Sequence, residues 1–387
     1  MSEQLYKSPW KGLFSYTEAD KDSFFGRGEA TELLYTLTHY NTLVTLYGKS
    51  GIGKTSLLQA GLFPIMREDG YTPVSVRFKE FLQEKGNHDT PLLVHLVKKI
   101  SEACGIELTP PDDAHQESAL WRFIYSTPLE SKHHIKPLII LDQFEETLIG
   151  NREAAELLLR QINALVDDTR IMPVHFHADN TFKMVIAIRE DDLFRLEDSI
   201  DRHALTLLKE NRFRLGQLSD DDARCIILDG GKEIFDENNK ERIANKIIER
   251  VKENDENREL SSAILSLMCD QLYKQYGTVG NRITLQQADK FGHNELEKFY
   301  IEATQEFTTE QRQAFEQRLI TKNGRRKMAN YEELNELLYG KIAHLIGGQT
   351  GILYQPDKKN VELIHDLLAK VIFESKQKRE AEEARIK

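Results

Sequence analysis

The sequence predicts an α/β fold: a parallel sheet threaded by helices, then a helical domain, then a small domain of helices and a hairpin. Three observations predict it. Short apolar runs alternate with helix-like stretches through the first half of the chain. Two of those runs, Pro137-Leu138-Ile139-Ile140-Leu141 and Met184-Val185-Ile186-Ala187-Ile188, are unbroken, as strands covered on both faces of a parallel sheet must be. A third run, Leu43-Val44-Thr45-Leu46-Tyr47, enters a glycine-rich loop that opens a helix.

That loop is Gly48-Lys49-Ser50-Gly51-Ile52-Gly53-Lys54-Thr55, a complete G-x-x-x-x-G-K-[ST], and Ser56-Leu57-Leu58-Gln59-Ala60 follows as the helix start. Strand, loop and helix in that order form a phosphate-binding loop. Gly48, Gly51 and Gly53 let the backbone bend so that its N–H groups, with those of Ser50 and Ser56, face a phosphate. The helix N-terminus adds partial positive charge. Lys54 can reach the β- and γ-phosphates and Thr55 can offer its hydroxyl to Mg²⁺. The expected ligands are ATP or ADP with Mg²⁺.

A strand at 73–78 and helices at 91–100 and 117–125 come next. The buried run 137–141 then ends in Asp142-Gln143-Phe144-Glu145-Glu146. Asp142 is placed where open α/β sheets bind ligands, at a strand's carboxyl end, and is the candidate Mg²⁺ carboxylate with Thr55. Glu145 or Glu146 is the candidate to orient the attacking water. The position directly after the aspartate, where many P-loop ATPases carry a glutamate, holds Gln143. The competing reading is that Glu145 and Glu146 only begin a solvated helix. A helix at 152–166 precedes the strand 184–188, which ends in Arg189-Glu190-Asp191-Asp192. Arg189 points into the same crevice, either to sense the γ-phosphate or to pair with Glu190 or Asp191. A short strand at 212–215 closes the first domain, 1–216.

Ser219-Asp220-Asp221-Asp222 is a helix start of the capping type. It opens a helical lid domain, 217–291. Further capping boxes at Thr284 with Gln287, Thr308 with Gln311 and Asn330 with Glu333 mark later helices. The stretches 351–357 and 360–364 read as a two-stranded wing before a last helix, so that 292–373 forms a winged-helix domain. Residues 374–387 are a mixed-charge helix with no apolar stripe, a connector.

These residues carry a resemblance. The chain resembles the STAND class of signal-transducing P-loop ATPases, and most closely its bacterial novel STAND branch, whose sheet is AAA+-like. Ser8-Pro9-Trp10-Lys11-Gly12-Leu13 is similar to that branch's P-Y-K-G-L lead-in, and Phe24-Phe25-Gly26-Arg27-Gly28-Glu29 to its F-F-G-R-E segment. The latter implies that Gly26 and Arg27 lie near the base of the nucleotide. Leu141-Asp142-Gln143-Phe144-Glu145-Glu146 is similar to the second nucleotide motif, Ile188-Arg189-Glu190-Asp191 to the L-R-x-D sensor, and Ala263-Ile264-Leu265-Ser266-Leu267-Met268-Cys269 to a lid helix. Val361-Glu362-Leu363-Ile364-His365-Asp366 resembles the M-H-D signature of the winged helix. Two positions depart. Ser262 stands where the family has a proline against the base, and Gly28 separates Arg27 from Glu29.

A chain of 387 residues fits two or three domains, and a net charge of −11 argues against coating nucleic-acid phosphates. The basic run Lys322-Asn323-Gly324-Arg325-Arg326-Lys327 reads as a solvated loop. Cys104, Cys225 and Cys269 form neither a disulfide framework nor a zinc pattern, so a reducing cytoplasm is expected. His175-Phe176-His177 reads as strand surface rather than a metal site. No apolar run reaches the length of a membrane helix.

The resemblance implies an ATP/ADP-dependent switch with slow hydrolysis, and signalling, regulation or phage defence as its setting. In the ADP state His365 would donate to the β-phosphate; the competing reading is an ordinary core histidine. A C-terminal sensor or repeat partner and nucleotide-driven homo-oligomerisation are further expectations. The rival functions are a DNA-binding AAA+ initiator and a scaffold with a structural nucleotide.

Overall fold

The computed structural model describes residues 8–83, 89–166, 176, 177, 180–200, 206, 208–253, 258–277, 282–290, 295–346, 351–355 and 359–386. The chain divides into two compact units. One is Tyr16–Gly216; the other combines Met1–Ser15 with Gln217–Lys387.

Tyr16–Gly216 is built on five parallel strands: β1 (Leu43–Gly48), β2 (Tyr71–Val76), β3 (Lys136–Leu141), β4 (Lys183–Arg189) and β5 (Arg212–Arg214). Their order across the sheet is β2-β3-β4-β1-β5. The apolar runs are unbroken because both faces are covered. Ile139, Leu141, Met184, Ile186 and Ile188 join one cluster, with the helices Leu92–Cys104, Ala119–Ser126 and Arg152–Val166. Leu138, Ile140, Val44, Leu46, Val185 and Ala187 join the opposite one, with residues of the helix Gly28–Tyr40 and of the helix that follows the loop. Alternate residues of one strand thus serve opposite cores, the period-two rule of an extended chain. The post-loop helix runs from Lys54 to Glu68 and widens to a π-turn at Leu57–Leu62.

The strands match the sequence reading within a residue or two, with one consequence. β2 ends at Val76, so Arg77 and Phe78 lie beyond it, at the carboxyl edge of the sheet. The expectation for 175–177 does not hold where it can be checked. His175 lies outside the described residues, and Phe176 and His177 belong to no strand. Phe176 instead packs on Trp121, with ring centroids 5.2 Å apart, and the His177 amide donates to the Tyr125 carbonyl at 2.7 Å. Among the described residues no group of three or more His, Cys, Asp or Glu is arranged to hold a metal ion, and no helix is long and apolar enough to cross a membrane.

In the second unit, Asp220–Gly230, Lys240–Glu253, Ser262–Tyr276 and Leu285–Lys290 form a helical cluster. Its first helix starts at the expected capping box, where Ser219 accepts from the Asp222 amide. The lead-in 9–15, read from sequence as part of the ATPase domain, packs here instead. Trp10 is 3% exposed in the helical cluster and its indole N–H donates to the Ile226 carbonyl at 3.2 Å. Leu13 reaches the next core along the chain, beside Ala263 and Leu267.

That next core belongs to the C-terminal helices and a small antiparallel sheet: β6 (Ala329–Asn330), β7 (Leu353–Tyr354) and β8 (Asn360–Leu363), in the order β6-β8-β7. The sequence predicted the β7–β8 hairpin and missed β6, because a two-residue strand has no periodicity to detect. The basic loop is exposed at Lys322, Arg325 and Lys327, while Arg326 turns inward, 3.5 Å from Glu362.

The stretch expected as a connector, 374–387, is not set apart from the preceding domain at its start. Asp366–Ile386 is one helix. Beyond residue 373, Arg379 Nη2 reaches both oxygens of the fully buried Glu316 at 2.6 Å. Tyr300 donates its hydroxyl to the same carboxylate at 2.8 Å. Burial first, and the Glu316 charge second, push the Tyr300 phenol well above its ordinary value. Tyr300→Phe is expected to lower stability by about 1.5–3 kcal/mol, the range for a hydrogen bond to a charged group. Urea denaturation followed by circular dichroism checks it, and an unchanged midpoint would mean that this bond contributes nothing.

Candidate functional site

The carboxyl ends of the strands bring the candidate residues to one edge of the sheet. Gly48 ends β1 in register with Arg189, which ends β4. Asp142 follows β3, its amide donating to the Val76 carbonyl at 3.0 Å, and Arg77 follows β2. Because β4 lies between β1 and β3, Arg189 stands between the loop and Asp142.

The loop requires its glycines. A Cβ on Gly48 would sit 2.7 Å from the Leu215 carbonyl. Gly51 and Gly53 have φ of 72° and 98°, in the region that favours glycine. The helix starts at Lys54, whose ammonium donates to the Gly48 and Lys49 carbonyls at 2.9 and 3.1 Å and is drawn in over the loop. The Ser56 hydroxyl accepts from the Tyr16 amide at 3.1 Å, so Ser56 offers the loop its backbone rather than its side chain.

Arg27, expected near the base, holds backbone. Its guanidinium is 8% exposed and donates to the Ile52 carbonyl at 3.1 Å and the Gly216 carbonyl at 3.0 Å. It ties the loop to the end of the unit, and Gly26, with φ 70°, turns the chain into that position. A Cβ on Gly28 would meet open space, so its departure from the family pattern has no steric cause.

Thr55 and Asp142 meet. The Thr55 hydroxyl lies 3.0 and 3.3 Å from the two Asp142 oxygens. Asp142 is 4% exposed. Arg77 shares that carboxylate through Nε at 3.0 Å and Nη2 at 2.6 Å, and Nη2 also lies 3.4 Å from the Thr55 hydroxyl.

Gln143 takes a left-handed turn, φ 55°, before the helix Phe144–Gly150, a conformation rare for its type. That turn separates the roles of the two glutamates. Glu145 points inward at 3% exposure, 3.2 Å from Arg189 Nε, and accepts from the Arg189 amide at 3.2 Å. Glu146 pairs with Lys79 at 3.0 Å. The solvated-helix reading therefore fails for Glu145. Of the two chain neighbours offered to Arg189, Glu190 pairs with Arg214 at 2.8 Å. Burial raises the Glu145 carboxyl to about 7, more than the Arg189 and Lys54 charges lower it.

The family model described as novel STAND NTPase 1 matches residues 9–371. The chain belongs to the novel STAND NTPase family. No curated protein matches it. Among solved structures, this STAND NTPase is similar to the Aeropyrum pernix ORC2 protein in its ADPNP–ADP complexes, at 15% identity and TM-score 0.49 over 92% of this chain and 95% of that one. It is also similar to a Walker-type ATPase of Pyrococcus abyssi, at 14% identity and TM-score 0.45 over 92% and 97%. Cdc6p from Pyrobaculum aerophilum is similar at 14% identity and TM-score 0.41 over 90% and 93%.

The residues of this STAND NTPase fit a nucleoside triphosphate and its metal. The glycine loop leaves no side chain at Gly51 or Gly53, Lys54 is at the helix start, and Thr55 and Asp142 present the hard oxygen donors that Mg²⁺ takes. Arg77 and Lys79 were missed from sequence. The available signal was their place at the carboxyl end of a parallel strand, the same argument that singled out Arg189. His365, between β8 and the last helix, belongs to the other unit, and its backbone carbonyl accepts from the Leu368 amide at 3.1 Å.

Proposed function

We propose that this STAND NTPase is an ATP/ADP-dependent conformational switch with slow, Mg²⁺-dependent ATP hydrolysis. One observation supports it above the others: Glu145, the carboxylate we assign to orient water, is buried and engaged at 3.2 Å by the arginine at the end of β4. A base held in an ion pair is a poor base until its partner has somewhere else to go. A γ-phosphate offers Arg189 that alternative, so the charge added by ATP both moves Arg189 and frees Glu145 to accept a proton from water. Thr55 and Asp142 would hold Mg²⁺, which when bound neutralises phosphate charge. Lys54 would leave the loop carbonyls for phosphate oxygens, and Gly26 and Arg27 would act on the nucleotide by setting the loop's backbone. Glu146, paired with Lys79, is the weaker candidate for the water.

The β6-β8-β7 sheet with its flanking helices reads as a winged helix, and the helices 220–290 as a lid. In the ADP state His365 would donate to the β-phosphate and hold the closed arrangement; ATP would favour an open, assembling one in a cytoplasmic setting, with signalling or defence as the role. A ligand shifts such an equilibrium only through its difference in affinity for the two states. Losing a hydrogen bond to a charged group is worth about 1.5–3 kcal/mol, so His365→Ala is expected to release ADP about tenfold faster or more and to be more extended with ATP. Stopped-flow release of a fluorescent ADP and small-angle scattering test this. Equal release rates and equal dimensions would remove His365 from the switch.

A further inference from the structure

The pair proposed above to hold Mg²⁺, Thr55 and Asp142, is already in contact with a cation of the chain itself. Asp142 Oδ2 receives Arg77 Nε at 3.0 Å, Arg77 Nη2 at 2.6 Å and the Thr55 hydroxyl at 3.0 Å, while Oδ1 has the Thr55 hydroxyl alone at 3.3 Å. Nη2 also reaches Thr55 Oγ1 at 3.4 Å. The guanidinium therefore touches both side chains that a divalent ion would use. Backbone register fixes it there: Val76 pairs with Leu141 at the end of the β2–β3 ladder, so the next residue of each strand, Arg77 and Asp142, meet side by side. The two partners differ in exposure. The Asp142 side chain is 3% exposed and the Arg77 side chain 25%, and β2 is an edge strand of the sheet. Solvent therefore borders the Arg77 side chain and hardly reaches that of Asp142.

We propose that Arg77 is a resident counter-ion of Asp142 and Thr55 that a divalent cation must displace, so that Arg77 sets the Mg²⁺ concentration at which the site loads. Mg²⁺ demands near-octahedral oxygen ligands at about 2.0–2.1 Å, and a carboxylate oxygen that already takes two N–H donors from one arginine has little left for it. The two cations also repel across the shared group. The metal-free site is thus stable with its aspartate paired, and loading becomes an exchange of cations rather than a simple addition. The opposite arrangement, in which Arg77 stays beside the bound metal and orients its carboxylate as an outer-shell partner, predicts the opposite sign.

The inference rests on reading Asp142 and Thr55 as the metal pair. The experiment is a Mg²⁺ titration at fixed ADP, read as the thermal unfolding midpoint, on wild type, Arg77→Gln, Arg77→Lys and Asp142→Asn. Arg77→Gln is expected to move the half-saturating Mg²⁺ concentration at least about tenfold lower, the factor that corresponds to one charge-assisted hydrogen bond. Arg77→Lys, with a single point of contact, is expected between Arg77→Gln and wild type. An unchanged or higher Mg²⁺ requirement in both Arg77 variants would overturn the proposal. If Arg77→Gln does not fold, the sign of the Arg77→Lys shift decides alone. Asp142→Asn separates the two failures. A Mg²⁺ response that survives in it overturns the metal pair itself; a response lost there but unmoved in the Arg77 variants overturns only the role of Arg77.

Discussion

Replacing Lys54 with alanine is expected to abolish the stabilisation that ATP or ADP gives this protein while leaving the sheet folded. The ammonium is at the first helical position of the loop and donates to the Gly48 and Lys49 carbonyls. In the free protein its loss removes two hydrogen bonds at the loop, a modest effect beside the strand cores. In the complex it removes the cation that the loop motif aims at the β- and γ-phosphates. A ligand at a hundred times its dissociation constant stabilises the folded state by about 2.7 kcal/mol, and that increment should disappear. Thermal unfolding of wild type and Lys54→Ala, with and without nucleotide and Mg²⁺, checks it. An equal shift in the two proteins would mean that Lys54 does not bind the phosphates.

Glu145→Gln is expected to slow ATP hydrolysis by about 10²–10⁴-fold, the usual contribution of a positioned acid or base. Glutamine keeps the shape and loses the basicity. Glu146→Gln should have a small effect, because Glu146 pairs with Lys79. The two variants thus assign the base, and similar rates for Glu145→Gln and wild type would remove Glu145 from the role. The pH profile adds an independent test. With its carboxyl raised to about 7 by burial, Glu145 is protonated and inactive below that pH in the free enzyme. The value of kcat/KM should therefore fall as pH drops through about 7, and the inflection should be absent from Glu145→Gln. Stability follows the reverse course. A carboxyl whose folded pKa lies above its unfolded one favours folding most below the unfolded value; that contribution declines as pH rises toward about 7 and stays level above it. Glu145→Gln should flatten this part of the wild-type stability curve, measured by denaturant unfolding across pH.

Much of the candidate site was legible in the sequence. The phosphate loop is eight consecutive residues between a strand and a helix, and each of its requirements, glycine at a bend, lysine and threonine at a helix start, is met within that span. Asp142 and Arg189 were found by one rule, that ligands of a parallel sheet gather at the carboxyl ends of strands. The helix expected at 152–166 is found as Arg152–Val166, with Ala155, Leu158, Leu159, Ile162 and Leu165 buried at helical spacing. The short strand β6 escaped because two residues have no period, and the lead-in was placed in the wrong unit because Trp10 and Leu13 find their cores more than two hundred residues away in sequence.

The sequence by itself determined the chemistry that neighbouring residues supply together: a loop for phosphate, a carboxylate after a buried strand, and membership of a family whose motifs occur in order along residues 9–371. The tertiary structure alone decided which charges meet. Nothing in the residue order distinguishes Glu145 from Glu146, yet the left-handed turn at Gln143 sends one to Arg189 and leaves the other with Lys79. The insertion of β4 between β1 and β3 sets Arg189 beside the loop, and the β2–β3 register sets Arg77 on Asp142. The physical reason is one of range. Backbone bending and helix starting depend on adjacent residues, whereas an ion pair depends on a separation of a few ångströms between side chains that strand order and register alone bring together.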